Sequence, residues 1–196
     1  MVVGLGGIGG YFCEFIVRAG LGKIICCDRD FFQIQNMNRQ LLAKKSTIGL
    51  SKAEVAKAHL ENISDAKVIA IADMITTKNI AEYSISADII VDCTDNYIAR
   101  QQIASYCEQS NIVFVHGAIG GLSGQVSVIH PEKNYIKNIY KSMAMKISYT
   151  IAPVPAIVAS LQATEVIKEL TGVGTVMRDE IVLFDLASND CMKYKL

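Results

Sequence analysis

Residues 4–10 read Gly-Leu-Gly-Gly-Ile-Gly-Gly, directly after an apolar Val2-Val3 and before a mixed apolar segment that stops at Gly20. Removing side chains from a strand-to-helix turn lets its backbone approach a neighbouring strand, a helix or a phosphate. Gly4, Gly6 and Gly9 have the spacing of a nucleotide-binding fingerprint, and Asp28 follows at about the distance of a carboxylate that accepts from a ribose hydroxyl. Asn36 and Arg39 come next. A dehydrogenase does not require an amide and a fixed cation just beyond the ribose carboxylate, where a triphosphate rather than a nicotinamide would lie.

The rest of the first two-thirds alternates between strand and helix signals. Helical patterns cover residues 11–19, 51–63 and 96–109, and apolar strands cover 23–28, 67–72, 88–93 and 112–116. Ser51 with Glu54 three positions later has the form of a capping box. Such alternation predicts an α/β fold, with a Rossmann-like, doubly wound, mainly parallel sheet whose ligand lies at the strand carboxyl ends. After Gly117 the pattern changes. A strand over 125–130, an aperiodic Lys-, Tyr- and Met-rich segment over 131–150, an apolar helix over 153–170 and a terminal hairpin over 181–187 and 191–196 follow. The hairpin extends the sheet with antiparallel strands. No internal repeat or linker divides residues 1–196, which read as one domain with a variable crossover loop at 131–150.

Composition removes several function classes. The 196 residues are 51% hydrophobic, enough for one domain with a real core, and the formal net charge is +0. No global field would recruit nucleic acid or an anionic membrane. No apolar run is long enough to span a bilayer and no secretory signal precedes the fold, so a cytoplasmic location is expected. The six cysteines form no Cys-x-x-Cys pair and read as reduced thiols. Only three residues precede Gly4, whereas a first strand of this kind has about five or six. The expectation is that natural sequence is missing, or that the gene has an internal start.

Several residues carry alternative readings. Asp28 is a ribose acceptor or a turn cap, and Asp30 has no decided role. Lys52 and Arg39 are the two cations able to reach a triphosphate, though a single lysine is often only solvated. Asp95, in Asp92-Cys93-Thr94-Asp95-Asn96, is a magnesium ligand shared with substrate phosphates or the N-cap of the helix starting near Asn96.

Together these pieces resemble the ThiF/MoeB/HesA adenylyltransferases, relatives of the ubiquitin-activating enzymes. The matching pieces are Gly4 to Gly9, Asp28-Arg29-Asp30, Asn36-Met37-Asn38-Arg39-Gln40, Gly49-Leu50-Ser51-Lys52 and the Asp92 to Asn96 segment. Gly124-Gln125-Val126 also matches, as do Ala152-Pro153, Ser160-Leu161-Gln162-Ala163 and Ile167-Lys168, in the family's order over nearly the whole chain. The resemblance implies ATP held by Gly4, Gly6, Gly7, Gly9, Asp28, Asn36, Arg39, Lys52, Asp95 and Asn96, with magnesium at Asp95. Arg39, Lys52 and Asp95 would act in catalysis. It further implies a carboxylate attacking the α-phosphate to give an acyl-adenylate and pyrophosphate. The typical donor is the Gly-Gly terminus of a ubiquitin-like sulfur carrier.

The chain departs from that pattern in three ways. Zinc-binding members carry Cys-x-x-Cys pairs in the crossover loop and near the carboxyl terminus; residues 134–140 have no cysteine, so no zinc is expected. Residues 117–168 hold no cysteine able to take over an acyl group, and Cys191 on the terminal hairpin is not assigned that role. The arginine that a partner's amino-terminal helix commonly supplies has no counterpart here. A homodimer is expected, both from the resemblance and from the apolar circumference of the 153–170 helix. Two other functions compete: an NAD-dependent Rossmann oxidoreductase, and a catalytically impaired module that binds nucleotide or carrier protein. The first leaves Arg39, Lys52 and Asp95 without a common purpose.

Overall fold

A computed structural model describes residues 1–131, 149–178 and 180–196. Five parallel strands form the first half of the sheet: β1 (Val2–Val3), β2 (Lys23–Cys27), β3 (Lys67–Ile71), β4 (Ile89–Asp92) and β5 (Val113–Gly120). Three antiparallel strands, β6 (Ser123–Ile129), β7 (Glu180–Asp185) and β8 (Asp190–Lys195), continue the same sheet. The order is β3-β2-β1-β4-β5-β6-β7-β8. The chain therefore reverses its direction of growth between β1 and β4, where ligands of open α/β sheets bind. All of β4 and the last four residues of β2 are buried, as expected for strands covered on both faces.

Helices α1 (Gly7–Arg18), α2 (Lys52–Glu61) and α5 (Pro153–Thr171) cover one face, and α3 (Ile80–Tyr83) and α4 (Tyr97–Ser110) the other. One apolar cluster centres on Leu5, Phe12, Ile16, Leu60 and Val158, the other on Ile80, Ile90, Ile103 and Phe114.

Three element boundaries and one cap differ from the sequence reading in informative ways. Helix α1 starts at Gly7 rather than near residue 11. Glycine costs about 1 kcal/mol in a helix, yet packing demands it here. A Cβ at Gly9 would strike the Gly4 carbonyl oxygen, and one at Gly7 would lie 3.3 Å from Pro155 Cβ. Strand β5 runs on to Gly120 because its pairing with β6 (Gly117 opposite Val126, Gly120 opposite Ser123) carries it through Gly117. Ser51 precedes α2, but its side chain makes no capping bond, and its Oγ is buried without a partner, so the capping box does not form. The helix over residues 96–109 is displaced by one, with Asn96 as its N-cap.

The apolar helix α5 is buried extensively within its own chain. It packs on α1, β5 and β6, and buries Val154, Pro155, Val158, Ala159, Gln162, Ala163, Glu165 and Val166. Its hydrophobic circumference therefore does not by itself require a second subunit. The terminal hairpin forms as expected, with Asn189 at φ 62° in its turn. The 131–150 loop lies almost wholly outside the described residues. No described helix is long and apolar enough to cross a membrane.

Candidate nucleotide site

The site is built on the carboxyl ends of β1, β2 and β4. Gly4 leaves β1 with φ +90°, and a Cβ there would sit 2.7 Å from the carbonyl oxygen of Cys93, at the end of β4. The next residue, Leu5, donates its N–H to Asp28 Oδ2 at 2.7 Å. The other carboxylate oxygen of Asp28 accepts the N–H of Asp30 at 2.8 Å. Asp28 thus closes its own turn, one of the two roles the sequence left open, and it also anchors the glycine turn, which the sequence did not suggest. Each oxygen keeps acceptor capacity beyond these bonds.

Helix α1 then begins with Gly6 as N-cap, with no capping side chain and no acidic residue in its first turn. Orphan N–H groups and the positive end of the helix dipole suit an anion. Gln40 packs beside this terminus: a Cβ on Gly6 would lie 3.3 Å from its Nε2, while its buried Oε1 has no partner. A polyanion with a hydroxyl-bearing sugar fits this donor and acceptor set.

Lys52 is the buried cation of the site, only 6% exposed. Its Nζ lies 3.3 Å from Asp30 Oδ2 and 4.0 Å from Asp28 Oδ2. Asp30, undecided from sequence, is therefore the nearer partner of Lys52. Asn36 and Arg39 belong to a turn opened by a short 3-10 helix (Ile34–Asn36). Asn36 is buried and its Oδ1 accepts the Gln33 N–H at 2.9 Å, so half of its amide serves the turn. The Arg39 guanidinium bonds to Gln35 O at 2.9 Å and Asn38 Oδ1 at 2.8 Å. Its backbone oxygen comes within 3.8 Å of a Cβ built on Gly7, so this turn borders the glycine turn.

Asp95 is exposed at the end of β4, and it does not cap α4. That role falls to Asn96, whose Oδ1 accepts from Ile98 N at 2.9 Å and Ala99 N at 3.1 Å. Among the described residues no three His, Cys, Asp or Glu side chains gather as a metal site. Asp95 could hold magnesium only together with substrate oxygens, the usual arrangement for that ion.

Behind Asp95 lies a buried polar network that sequence reading did not single out. Asp92 is fully buried and accepts from Arg100 Nε at 2.6 Å, Thr94 Oγ1 at 2.6 Å and Thr94 N at 3.0 Å. His116 Nδ1 lies 3.2 Å from the same carboxylate, and His116 Nε2 lies 2.8 Å from Gln125 Nε2. Burial opposes ionisation of Asp92 most strongly, but Arg100, then His116 and Thr94, outweigh it and hold the carboxyl below its ordinary range. Burial likewise lowers the His116 pKa, so this ring is neutral at pH 7. Gln162 of α5 joins the network by donating to Asp92 O at 3.0 Å. The sequence signal for Asp92 was an acid inside an apolar strand, which needs a buried partner.

Two buried thiols border the site: Cys27 immediately precedes Asp28, and Cys93 Sγ donates to Gln162 Oε1 at 3.5 Å. Cys191 is exposed on the edge strand β8, well along the sheet from β1. Burial pushes the Cys27 and Cys107 thiols up to about 12, far from nucleophilic poise. A cavity of about 80 Å³, bordered by Met1, Lys23, Ser86 and Ile89, opens at the amino ends of the strands, the opposite end from the glycine turn.

The strand order with its antiparallel extension defines a Rossmann-like α/β fold. The chain belongs to the ThiF family, which it matches over residues 1–196. It is 28% identical over 204 residues to the molybdopterin-synthase adenylyltransferase of Escherichia coli K12, covering 100% of this chain and 82% of that enzyme. It is also 28% identical over 193 residues to the sulfur carrier protein ThiS adenylyltransferase of the same organism, covering 94% and 76%. The crystal structure of E. coli MccB with ATP superimposes with a TM-score of 0.85 at 22% identity, over 99% of this chain and 62% of MccB. The chain thus spans less than two thirds of that structure's length, and the likeness concerns the fold.

Proposed function

We propose that this protein is an ATP-dependent adenylyltransferase that activates a carboxylate, the Gly-Gly terminus of a ubiquitin-like sulfur carrier being the favoured substrate. The observation that carries this reading is the cluster of Leu5, Asp28, Asp30 and Lys52, which joins the glycine turn, a carboxylate with acceptor capacity to spare and a buried cation at one sheet edge. Membership of the ThiF family and relatives that are adenylyltransferases support it.

In this reading, Asp28 accepts from the ribose hydroxyls. The α1 terminus, with Gly4, Gly6, Gly7 and Gly9 giving close backbone approach, faces the phosphates. Asn36, Arg39, Lys52 and Asn96 orient the triphosphate. A substrate carboxylate oxygen attacks the α-phosphorus, the bond from that phosphorus to the β-phosphate oxygen breaks, and pyrophosphate leaves with the electron pair. Lys52 and Arg39 stabilise negative charge that grows on the phosphates, the kind of electrostatic help that dominates such transfers. Magnesium held through Asp95 would neutralise charge on the same oxygens. The product is an acyl-adenylate for an outside nucleophile. Pairing of two chains as a homodimer, at work in the cytoplasm, belongs to the same proposal; light scattering at micromolar concentration tests the pairing.

Pyrophosphate exchange into ATP, measured with a small carrier protein ending in Gly-Gly, tests the reaction. Exchange in the wild type, lost in Asp95→Ala with a smaller effect on ATP binding, is expected. ATP binding without any exchange would instead favour a non-catalytic binding module. Reduction of NAD with a hydroxy substrate would favour an oxidoreductase.

A further inference from the structure

We propose that Arg100 is a positioning residue that aims Asp95, an inference that rests on the reading of Asp95 as the magnesium-binding carboxylate. Asp95 is exposed, and among the described residues no hydrogen bond or ion pair holds its side chain. Its backbone, by contrast, is held on both sides. On the far side, Asn96 is fixed as the N-cap of α4 by its bonds to Ile98 N and Ala99 N. On the near side, Thr94 is gripped through three of its polar groups. Its N–H and Oγ1 donate to Asp92 Oδ1 at 3.0 and 2.6 Å. Its carbonyl oxygen, which belongs to the peptide unit leading into Asp95, accepts from an Arg100 terminal nitrogen.

The same terminal nitrogen of Arg100 reaches Gly117 O at 3.2 Å, and its Nε donates to Asp92 Oδ2 at 2.6 Å. One guanidinium therefore ties together the Asp92 carboxylate, the Thr94–Asp95 peptide and strand β5. Its fork is what permits this, since three points are held by a planar, rigid group. A lysine could supply the charge, but its three donors sit on one nitrogen and lack the fixed spread of the fork.

The guanidinium also has an electrostatic duty, because Asp92 is wholly buried and needs a counter-charge. Neutralising Asp92 alone, however, would not require a bond to Thr94 O. That bond, on the peptide that presents Asp95, is the feature that assigns Arg100 to the site. Groups that orient a metal ligand in this way typically matter about 10- to 100-fold in metal affinity or activity.

The test is a double-mutant cycle in pyrophosphate exchange, with a carrier protein ending in Gly-Gly, using Arg100→Lys and Asp95→Asn. Rates are taken at saturating ATP across a magnesium titration, together with ATP affinity and thermal melting of each variant. Arg100→Lys alone should slow exchange by about 10- to 100-fold and raise the magnesium needed for half-maximal rate, with ATP affinity changed by less than about threefold. In the Asp95→Asn background the same substitution should change the residual rate by less than about threefold, because its target is already gone. Should Arg100→Lys fail to melt cooperatively, Thr94→Val takes its place, since it removes one anchor and leaves the Asp92 counter-charge intact. Effects that multiply in the double variant, with an active wild type, would overturn the positioning role alone. A wild type without exchange would overturn the reading of the site and this role with it.

Discussion

The Asp28 carboxylate accepts the N–H of Leu5 at 2.7 Å, so the end of β2 holds the glycine turn at the end of β1. The residue expected to bind ribose is thereby also the residue that shapes the glycine turn. Replacing it with alanine removes both roles at once. Asp28→Ala should weaken ATP binding by at least about tenfold, since hydrogen bonds to a charged group are worth roughly 1.5–3 kcal/mol each. Calorimetric titration checks this, and an unchanged ATP affinity would take Asp28 out of the site.

Lys52 gives a second prediction. Its ammonium is buried, with Asp30 at 3.3 Å and Asp28 at 4.0 Å. Lys52→Met should weaken ATP binding and slow exchange, because it deletes the cation and leaves Asp28 without its nearest positive charge. Lys52→Arg should not restore activity, as a pocket that leaves lysine 6% exposed has no space prepared for a guanidinium. Full exchange in the arginine variant would contradict this account of the pocket.

The glycines near the turn separate packing from mere composition. A Cβ on Gly9 would strike Gly4 O, whereas nothing lies within 4 Å of one on Gly22. Gly9→Ala is expected to destabilise the fold by about 3 kcal/mol, the upper part of the range for overpacking, or to prevent folding. Gly22→Ala should stay within about 0.5 kcal/mol, as surface changes usually do. Denaturant melting of the two variants measures the contrast.

Acid stability follows from the buried network. His116 has its pKa lowered in the fold, chiefly by burial, from an ordinary value of 6.5. Below that value the unfolded chain takes up a proton that the folded chain refuses, so stability falls as the pH drops below about 6.5. Above it the contribution is complete. Asp92, also held below its ordinary range, adds a further loss only at lower pH, once the pH falls below its ordinary value of 3.8 towards the folded pKa. His116→Asn should flatten the slope of stability between pH 6.5 and 5, measured by denaturant titration at several pH values; an unchanged slope would remove His116 as its source.

Much of the parallel half of the sheet was legible because its signals are local. The glycine spacing, Asp28 at a strand end and the apolar runs of β2 and β4 each mark a turn or a strand within a few residues. The start of α1 was not legible, since glycine propensity argues against a helix and only the contacts of Gly7 and Gly9 with distant residues reverse it. The burial of α5 was legible, but its cause was not, because α1, β5 and β6 cover a face that sequence alone could equally assign to a partner. Asp92, Arg100, His116 and Gln125 come from four separate elements. Their network exists only once β4, α4, β5 and β6 are assembled, so no spacing rule announces it.

The most direct test of the central claim is a pair of calorimetric titrations of the wild-type protein, one with ATP and one with NAD, each with and without magnesium. The account predicts tighter binding of ATP than of NAD, strengthened by magnesium and weakened in Asp28→Ala and Lys52→Met. Tighter binding of NAD, indifferent to magnesium, would contradict it.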